Sequence, residues 1–159
     1  MKKLLILTIA ITLSNFSFSQ DQPYNPNANA EADIQALIAK ASKEKKFILI
    51  QAGGNWCSWC LEFYRLTKED KQLDSAINKN FLLYHLNYSK ENKNLPIFKK
   101  YQFPQRFGFP VFIVLDMDGN LLHIQNSEYL ENGKKSYDIK KVLDFLENWT
   151  PQALDPSKY

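Results

Sequence analysis

Apolar residues recur along this chain with two spacings, and each spacing predicts one kind of secondary structure. From Glu31 to Lys46 the apolar positions fall at intervals of three and four residues, on one face of a helix. These positions are Ile34, Leu37, Ile38 and Ala41. The run that follows, Phe47 to Ala52, is almost entirely apolar, which is typical of a strand buried on both faces of a sheet. The pattern therefore predicts a helix that leads into a central strand.

Helical and extended patterns alternate again after Gly53-Gly54-Asn55, which interrupts the apolar run. A helix is predicted to begin at Cys57, and a shorter helical piece is predicted near Leu73 to Ile77. The apolar run from Phe81 to Tyr88 predicts a second strand. Another helix is predicted within Glu91 to Tyr101.

The last third of the chain predicts a β-hairpin and a closing helix. Val111 to Leu115 and Leu121 to Gln125 are strand patterns, and Met117-Asp118-Gly119-Asn120 between them is a hairpin turn. The polar stretch from Gln125 to Lys135 predicts a loop, and Ser136 is predicted to cap the last helix. The apolar face of that helix consists of Ile139, Val142, Leu143, Leu146 and Trp149. This order of elements predicts an α/β fold with a central mixed sheet of about four to five strands, flanked by helices, and an extra N-terminal helix.

The first residues have the features of an export signal. Lys2 and Lys3 precede an apolar run from Leu4 to Leu13, and Ser17-Phe18-Ser19 supplies small residues for cleavage. We therefore predict a signal peptide at 1–19, a flexible leader at 20–29, one domain at 30–150 and a C-terminal tail at 151–159. The protein is expected to be exported and soluble, in the periplasm or secreted.

The net charge gives no support to two classes of partner. The chain carries +3, which falls to +1 once the two lysines of the predicted signal peptide are removed. Such a small charge gives no reason to expect nucleic acid or an anionic membrane surface as a partner. The apolar run in the signal region is also far shorter than the roughly 20 residues of a membrane-spanning helix, so no membrane anchor is expected.

The only two cysteines, Cys57 and Cys60, stand two residues apart directly after the predicted central strand. In an oxidising compartment such a pair is a structural disulfide, a redox centre or part of a metal site. A structural disulfide is the weaker interpretation, because so small a ring constrains the unfolded chain little. A copper or zinc site would need a further ligand such as His85 or His123, and no ligand-like spacing links either histidine to the cysteines.

Three motifs together resemble the thioredoxin superfamily, and specifically its small exported thioredoxin-like members. The first is Trp56-Cys57-Ser58-Trp59-Cys60 after a buried strand, and the second is Gly108-Phe109-Pro110-Val111 ahead of a later strand. The third is the turn Leu115-Asp116-Met117-Asp118-Gly119-Asn120 between the last two strands. The resemblance covers roughly Ala30 to Trp149 and implies a thioredoxin fold.

The resemblance also implies roles for five residues. Cys57, at a helix N-terminus that favours a thiolate, would be the attacking nucleophile, and Cys60 would be the resolving thiol. Trp56, Phe109 and Pro110 would bind the substrate, with Pro110 in a cis peptide bond facing the cysteines. No cofactor is implied.

The resemblance therefore predicts a thiol–disulfide oxidoreductase that acts on cysteines of exported proteins and exchanges electrons with a redox partner that the sequence does not identify. One departure bears on this function. Thioredoxin carries a buried aspartate six residues before its first cysteine, whereas this chain has Gln51, which cannot take a proton from Cys60. Two alternatives stay open, namely a redox-inert adaptor with the same fold and a copper or zinc chaperone that uses the cysteine pair.

Overall fold

The computed structural model describes residues 22–159. The predicted signal peptide 1–19 and the first two residues of the predicted leader lie outside the described residues.

Five helices and four strands make up most of the described part of the chain. The strands are β1 (Phe47–Gly53), β2 (Phe81–Asn87), β3 (Val111–Leu115) and β4 (Leu121–Asn126). The helices are α1 (Ala30–Glu44), α2 (Ser58–Glu69), α3 (Lys71–Asn80), α4 (Leu95–Lys100) and α5 (Ile139–Asn148). Short 3-10 turns occupy Pro104–Phe107, Ser127–Leu130 and Pro156–Lys158. Each predicted strand and helix therefore has a counterpart in the structure.

The four strands form one mixed sheet in the order β2-β1-β3-β4. Strand β1 pairs parallel with β2 and antiparallel with β3, and β3 pairs antiparallel with β4. All seven residues of β1 are buried, as its apolar composition predicts for a central strand. The predicted mixed α/β sheet is thus confirmed.

Side chains of β1 alternate between two hydrophobic layers because successive residues of a strand point to opposite faces. Ile48 and Ile50 belong to the layer beneath α1 and α4, together with Ile34 and Phe98. Leu49 belongs to the opposite layer, which contains core residues of α2, α3 and α5. Strand β1 ends at Gly53, and a short turn connects it to Cys57 and helix α2.

Two details of the helix ends differ from the predictions. Helix α1 ends at Glu44 because Lys45 adopts a left-handed conformation (φ 55°) and its N–H bonds to the carbonyl of Ala41. Helix α5 is capped by Asp138, whose side chain accepts from the N–H of Lys141, and not by Ser136. The Ser136 hydroxyl instead donates to Glu62 Oε1 at 2.5 Å.

The segment before α1, within the predicted leader, contains one deeply buried side chain. Tyr24 is only 1% exposed and packs against both cysteines. Asn55 fixes it by two hydrogen bonds, accepting from the Tyr24 N–H at 3.2 Å and donating to the Tyr24 carbonyl at 2.7 Å. Residues 22–29 therefore contribute one side chain to the site. Within residues 22–159 no helix is long and apolar enough to cross a bilayer.

Candidate active site

The cysteine pair lies where β1 ends and α2 begins. Cys57 is the N-cap of α2, and its Sγ accepts a hydrogen bond from the Cys60 N–H at 3.2 Å. The two sulfurs form a disulfide between Cα atoms 5.2 Å apart. Cys57 is 6% exposed and Cys60 is fully buried. Of the two cysteines, only Cys57 therefore keeps any exposed area.

The N-cap position gives Cys57 the surroundings that favour a thiolate. The first N–H groups of a helix have no partner within the helix, and together with the helix dipole they stabilise a negative charge. Helix α2 carries no acidic residue in its first turn that would oppose this effect. The reduced form of the pair thus has the local chemistry of a reactive dithiol.

The loop before β3 brings Phe109 to the cysteines and Pro110 to the end of β1. Strand β3 runs antiparallel to β1 with Val111 opposite Ala52, so the residue before Val111 lies beside the end of β1. The Phe109–Pro110 peptide bond is cis. The Phe109 ring packs against the cluster formed by Tyr24, Cys57 and Cys60. Residues more than fifty positions apart in the sequence therefore form one surface.

Trp56 forms the rim of that surface. Its ring is 61% exposed and meets Phe109 edge-to-face, with ring centroids 5.8 Å apart. Trp56 Nε1 donates to the carbonyl of Tyr88 at 2.7 Å, which holds the ring in place. A groove lies beside it, lined by Trp56, Tyr88, Ser89, Lys90, Glu91 and Lys93. Trp59, the other tryptophan of the motif, is partly buried, meets Tyr137 edge-to-face and packs against both the core layer and the cysteine cluster.

Gln51 lies beneath the disulfide and is fully buried. Its Nε2 donates to the carbonyl of Cys60 at 2.9 Å, whereas its Oε1 has no hydrogen-bond partner. The amide therefore holds the backbone of Cys60 without offering its thiol an ionisable group.

Sequence reasoning missed Tyr24, which lies next to Gln51 and Cys60. No periodic pattern surrounds this residue, because its neighbours are prolines and asparagines. The one available signal is the presence of a large aromatic residue in an otherwise polar segment.

The two histidines occupy different places in the fold. His123 is on β4, where its ring stacks on Trp149 at 4.3 Å. His85 is on β2 and contacts the rings of Tyr24 and Tyr64, and its Nε2 has no hydrogen-bond partner. Among residues 22–159, no group of three or more His, Cys, Asp or Glu side chains could hold a metal ion. The geometry thus gives no support to a metal site built from both cysteines and a histidine.

Acidification is expected to destabilise the protein through His85. Burial, with a smaller contribution from Lys68, lowers the pKa of His85 from 6.5 to about 4. Between these values the unfolded chain binds more protons than the folded one, so the free energy of unfolding falls as the pH drops below 6.5 and levels off below about 4. Between pH 7 and pH 5 the loss is about 2 kcal/mol.

Urea unfolding at a series of pH values measures this loss. The variant His85→Gln keeps a polar side chain that does not titrate, and its stability should depend less on pH by about 2 kcal/mol over the same interval. Equal pH dependence of the two proteins would show that His85 is not the titrating group.

The cysteine pair at the start of a helix, the cis Phe109–Pro110 bond just before β3 and the sheet order β2-β1-β3-β4 define a thioredoxin fold. Residues 29–117 match the family model described as Thioredoxin-like. That match spans more than half of the chain, so the chain belongs to the thioredoxin-like family.

Solved structures support the same fold. A disulphide isomerase from Xylella fastidiosa Temecula1 superposes with a TM-score of 0.71 at 23% identity, covering 80% of this chain and 96% of that one. The oxidised C-terminal domain of DsbD from Neisseria meningitidis superposes with a TM-score of 0.57 at 17% identity, covering 77% and 97%. A search of curated proteins gave no match. The predicted thioredoxin fold is therefore confirmed.

Proposed function

We propose that the protein is a thiol–disulfide oxidoreductase in which Cys57 attacks and Cys60 resolves. The observation that carries this proposal is the difference between the two sulfurs at one helix end. Cys57 caps the helix and keeps a small exposed area (6%), whereas Cys60 is fully buried. A purely structural disulfide would gain nothing from this arrangement, and its short ring would constrain the unfolded chain little.

The reaction in the reducing direction has two exchange steps. The Cys57 thiolate attacks one sulfur of a substrate disulfide, forms a mixed disulfide and releases the other substrate sulfur as a thiolate. The Cys60 thiolate then attacks Cys57 Sγ, closes the Cys57–Cys60 disulfide and releases the second substrate sulfur. Two electrons pass to the substrate, and the two protons of the protein's thiols end on the substrate's thiols. The reverse sequence oxidises a substrate.

Trp56, Phe109 and Pro110 are proposed to hold the substrate next to Cys57. The Trp56 and Phe109 rings form a continuous apolar contact beside the cysteines, and apolar surface beside a reactive sulfur favours a bound polypeptide over water. Pro110 fixes the backbone dihedral at this point. Because proline has no N–H, it cannot compete with its neighbours for the hydrogen-bond acceptors of a bound peptide. The peptide chain on either side of the substrate cysteine would lie along this surface.

The proposed substrates are exported proteins with thiols or disulfides, and a further redox partner would restore the starting state of the cysteines. The predicted signal peptide supports the location. The solved structures with the same fold include one described as a disulphide isomerase and one described as a DsbD domain. The first description fits a protein that exchanges disulfides with other proteins, and the second domain has been solved in an oxidised form.

Insulin reduction in the presence of dithiothreitol tests the proposal. Wild-type protein is expected to accelerate the precipitation of insulin chains well above dithiothreitol alone, and Cys57→Ser is expected to remove the acceleration. A wild-type protein with no activity would favour a redox-inert adaptor, the alternative to which the neutral Gln51 points.

Truncation of Trp56 is expected to weaken substrate binding and to leave the cysteines intact. We expect Trp56→Ala to lower kcat/KM for insulin by about tenfold, mostly through KM, because a large exposed aromatic anchor is lost. Trp56→Phe keeps a ring and loses only the hydrogen bond to Tyr88, so its loss should be smaller.

The matched control is Tyr159→Ala, because Tyr159 is a highly exposed aromatic residue in the C-terminal tail, outside the site. Equal kcat/KM values for Trp56→Ala and Tyr159→Ala would show that Trp56 does not bind the substrate.

A further inference from the structure

The hydroxyl of Tyr24 is an unusual polar group because it is buried and has no hydrogen-bond partner. Buried hydroxyls are nearly always paired, since leaving one unpaired costs free energy. The segment that carries Tyr24 is nevertheless held firmly, by the two hydrogen bonds to Asn55. The unpaired hydroxyl of Tyr24 therefore lies on a segment that is fixed in place at the site.

The Tyr24 hydroxyl and the Cys60 sulfur face the same point. A Cβ atom added at Gly53 would lie 2.4 Å from Cys60 Sγ and 3.1 Å from the Tyr24 oxygen. Tyr24, Cys57 and Cys60 also form one buried cluster. In the oxidised state shown here both sulfurs are bonded to each other, so Cys60 carries no charge that a donor could stabilise.

We propose that in the reduced protein the Tyr24 hydroxyl donates a hydrogen bond to Cys60 Sγ and so stabilises the resolving thiolate. This inference rests on the proposed function. Gln51 has no ionisable group that could take the proton of Cys60. A hydrogen bond from Tyr24 would instead favour the thiolate form of the fully buried Cys60.

The proposed donor stays protonated throughout the reaction. Burial, with a smaller contribution from Tyr137, raises the pKa of Tyr24, so the hydroxyl donates and does not act as a base. The Gln51 amide is near enough to oppose that rise, although it lacks the geometry of a hydrogen bond. The other titratable group against the Tyr24 ring is His85, which is neutral at pH 7 because burial lowers its pKa to about 4.

The hydrogen bond would act in the second exchange step. Cys60 loses its proton, attacks Cys57 Sγ in the mixed disulfide and displaces the substrate sulfur. The released thiolate takes up one proton from water, so the proton lost by Cys60 is balanced. A donor to Cys60 raises the fraction of thiolate at neutral pH and therefore the rate of this step.

Reaction of the reduced protein with dithiobis(nitrobenzoate) separates the two steps, because each step releases one coloured thiolate. The first release reports attack by Cys57, and the second reports resolution by Cys60. We expect Tyr24→Phe to slow the second release about tenfold at pH 7 and to shift its pH–rate profile upward by about one unit. The first release should change little. Raising the pH should restore the second rate, which a merely structural defect would not allow.

The matched control is Tyr101→Phe, which removes another buried hydroxyl without a partner. Tyr101 belongs to the core layer that contains neither cysteine. Equal second rates for the two variants would overturn the inference.

A second measurement is the thiolate absorbance of Cys60 in Cys57→Ser, with and without Tyr24→Phe. An unchanged Cys60 pKa would also overturn it. Failure of the wild-type protein in the insulin assay would instead count against the proposed function, since the two releases do not depend on a protein substrate.

Discussion

Replacement of Cys60 by serine is expected to convert the protein from a catalyst into a trap for its substrates. Cys57 can still attack a substrate disulfide, but the mixed disulfide then has no internal thiol to release it. An intramolecular thiol one helical turn away acts at a very high effective concentration, which millimolar dithiothreitol does not match. Insulin reduction by Cys60→Ser should therefore fall by about a hundredfold or more.

Direct detection of the trapped mixed disulfide is a more specific test than the loss of insulin reduction. Cys60→Ser incubated with oxidised protein substrates should give covalent adducts that survive on non-reducing gels and disappear with dithiothreitol. Mass spectrometry should place the linkage at Cys57. The matched variant Cys57→Ser keeps only the fully buried Cys60, and we expect it to form few adducts. Adducts formed equally by both variants would contradict the assignment of Cys57 as the attacking residue.

The predictable part of the fold was the part with a repeating apolar pattern. The continuous run from Phe47 to Ala52 predicted the buried central strand, and the spacing in α1 predicted the first helix. The placement of the cysteines at the start of α2 followed from the glycine break before them. Periodicity and turn residues report local structure, so these features were available without the rest of the molecule.

The site was less predictable, because it depends on contacts between distant segments. Phe109 reaches the cysteines only through the pairing of β3 with β1, and the motif resemblance was needed to anticipate it. Tyr24 lies in a polar segment with no pattern, and its burial depends on Asn55 more than thirty residues later. The capping of α5 by Asp138 was missed for a smaller reason. Ser136 and Asp138 are both good caps, and in the structure Asp138 caps the helix while the Ser136 hydroxyl bonds to Glu62.

A methyl group at position 53 is expected to be among the most destabilising small changes in the site. Gly53 is the last residue of β1, and a Cβ atom there would lie 2.4 Å from Cys60 Sγ. The disulfide holds that sulfur, and Tyr24 blocks the other direction at 3.1 Å. We expect Gly53→Ala to lower the free energy of unfolding of the oxidised protein by about 3 kcal/mol, the upper part of the range for overpacked cores. Urea unfolding of the wild-type protein and of Gly53→Ala under oxidising conditions measures this difference in the free energy of unfolding.

The source of this destabilisation can be isolated with a second substitution. Cys60→Ala removes the sulfur that the new methyl group would meet, although Cys60 Cβ remains 3.3 Å away. In the Cys60→Ala background, measured with reductant, Gly53→Ala should therefore cost much less than in the wild-type protein. The difference between the two costs is the coupling energy of position 53 with the sulfur. Equal costs in both backgrounds would mean that the Cys60 sulfur is not what excludes a side chain at position 53, and would leave the Tyr24 oxygen and Cys60 Cβ as the obstacles. A large coupling would mean that β1 ends in glycine because the resolving sulfur occupies the space of a side chain.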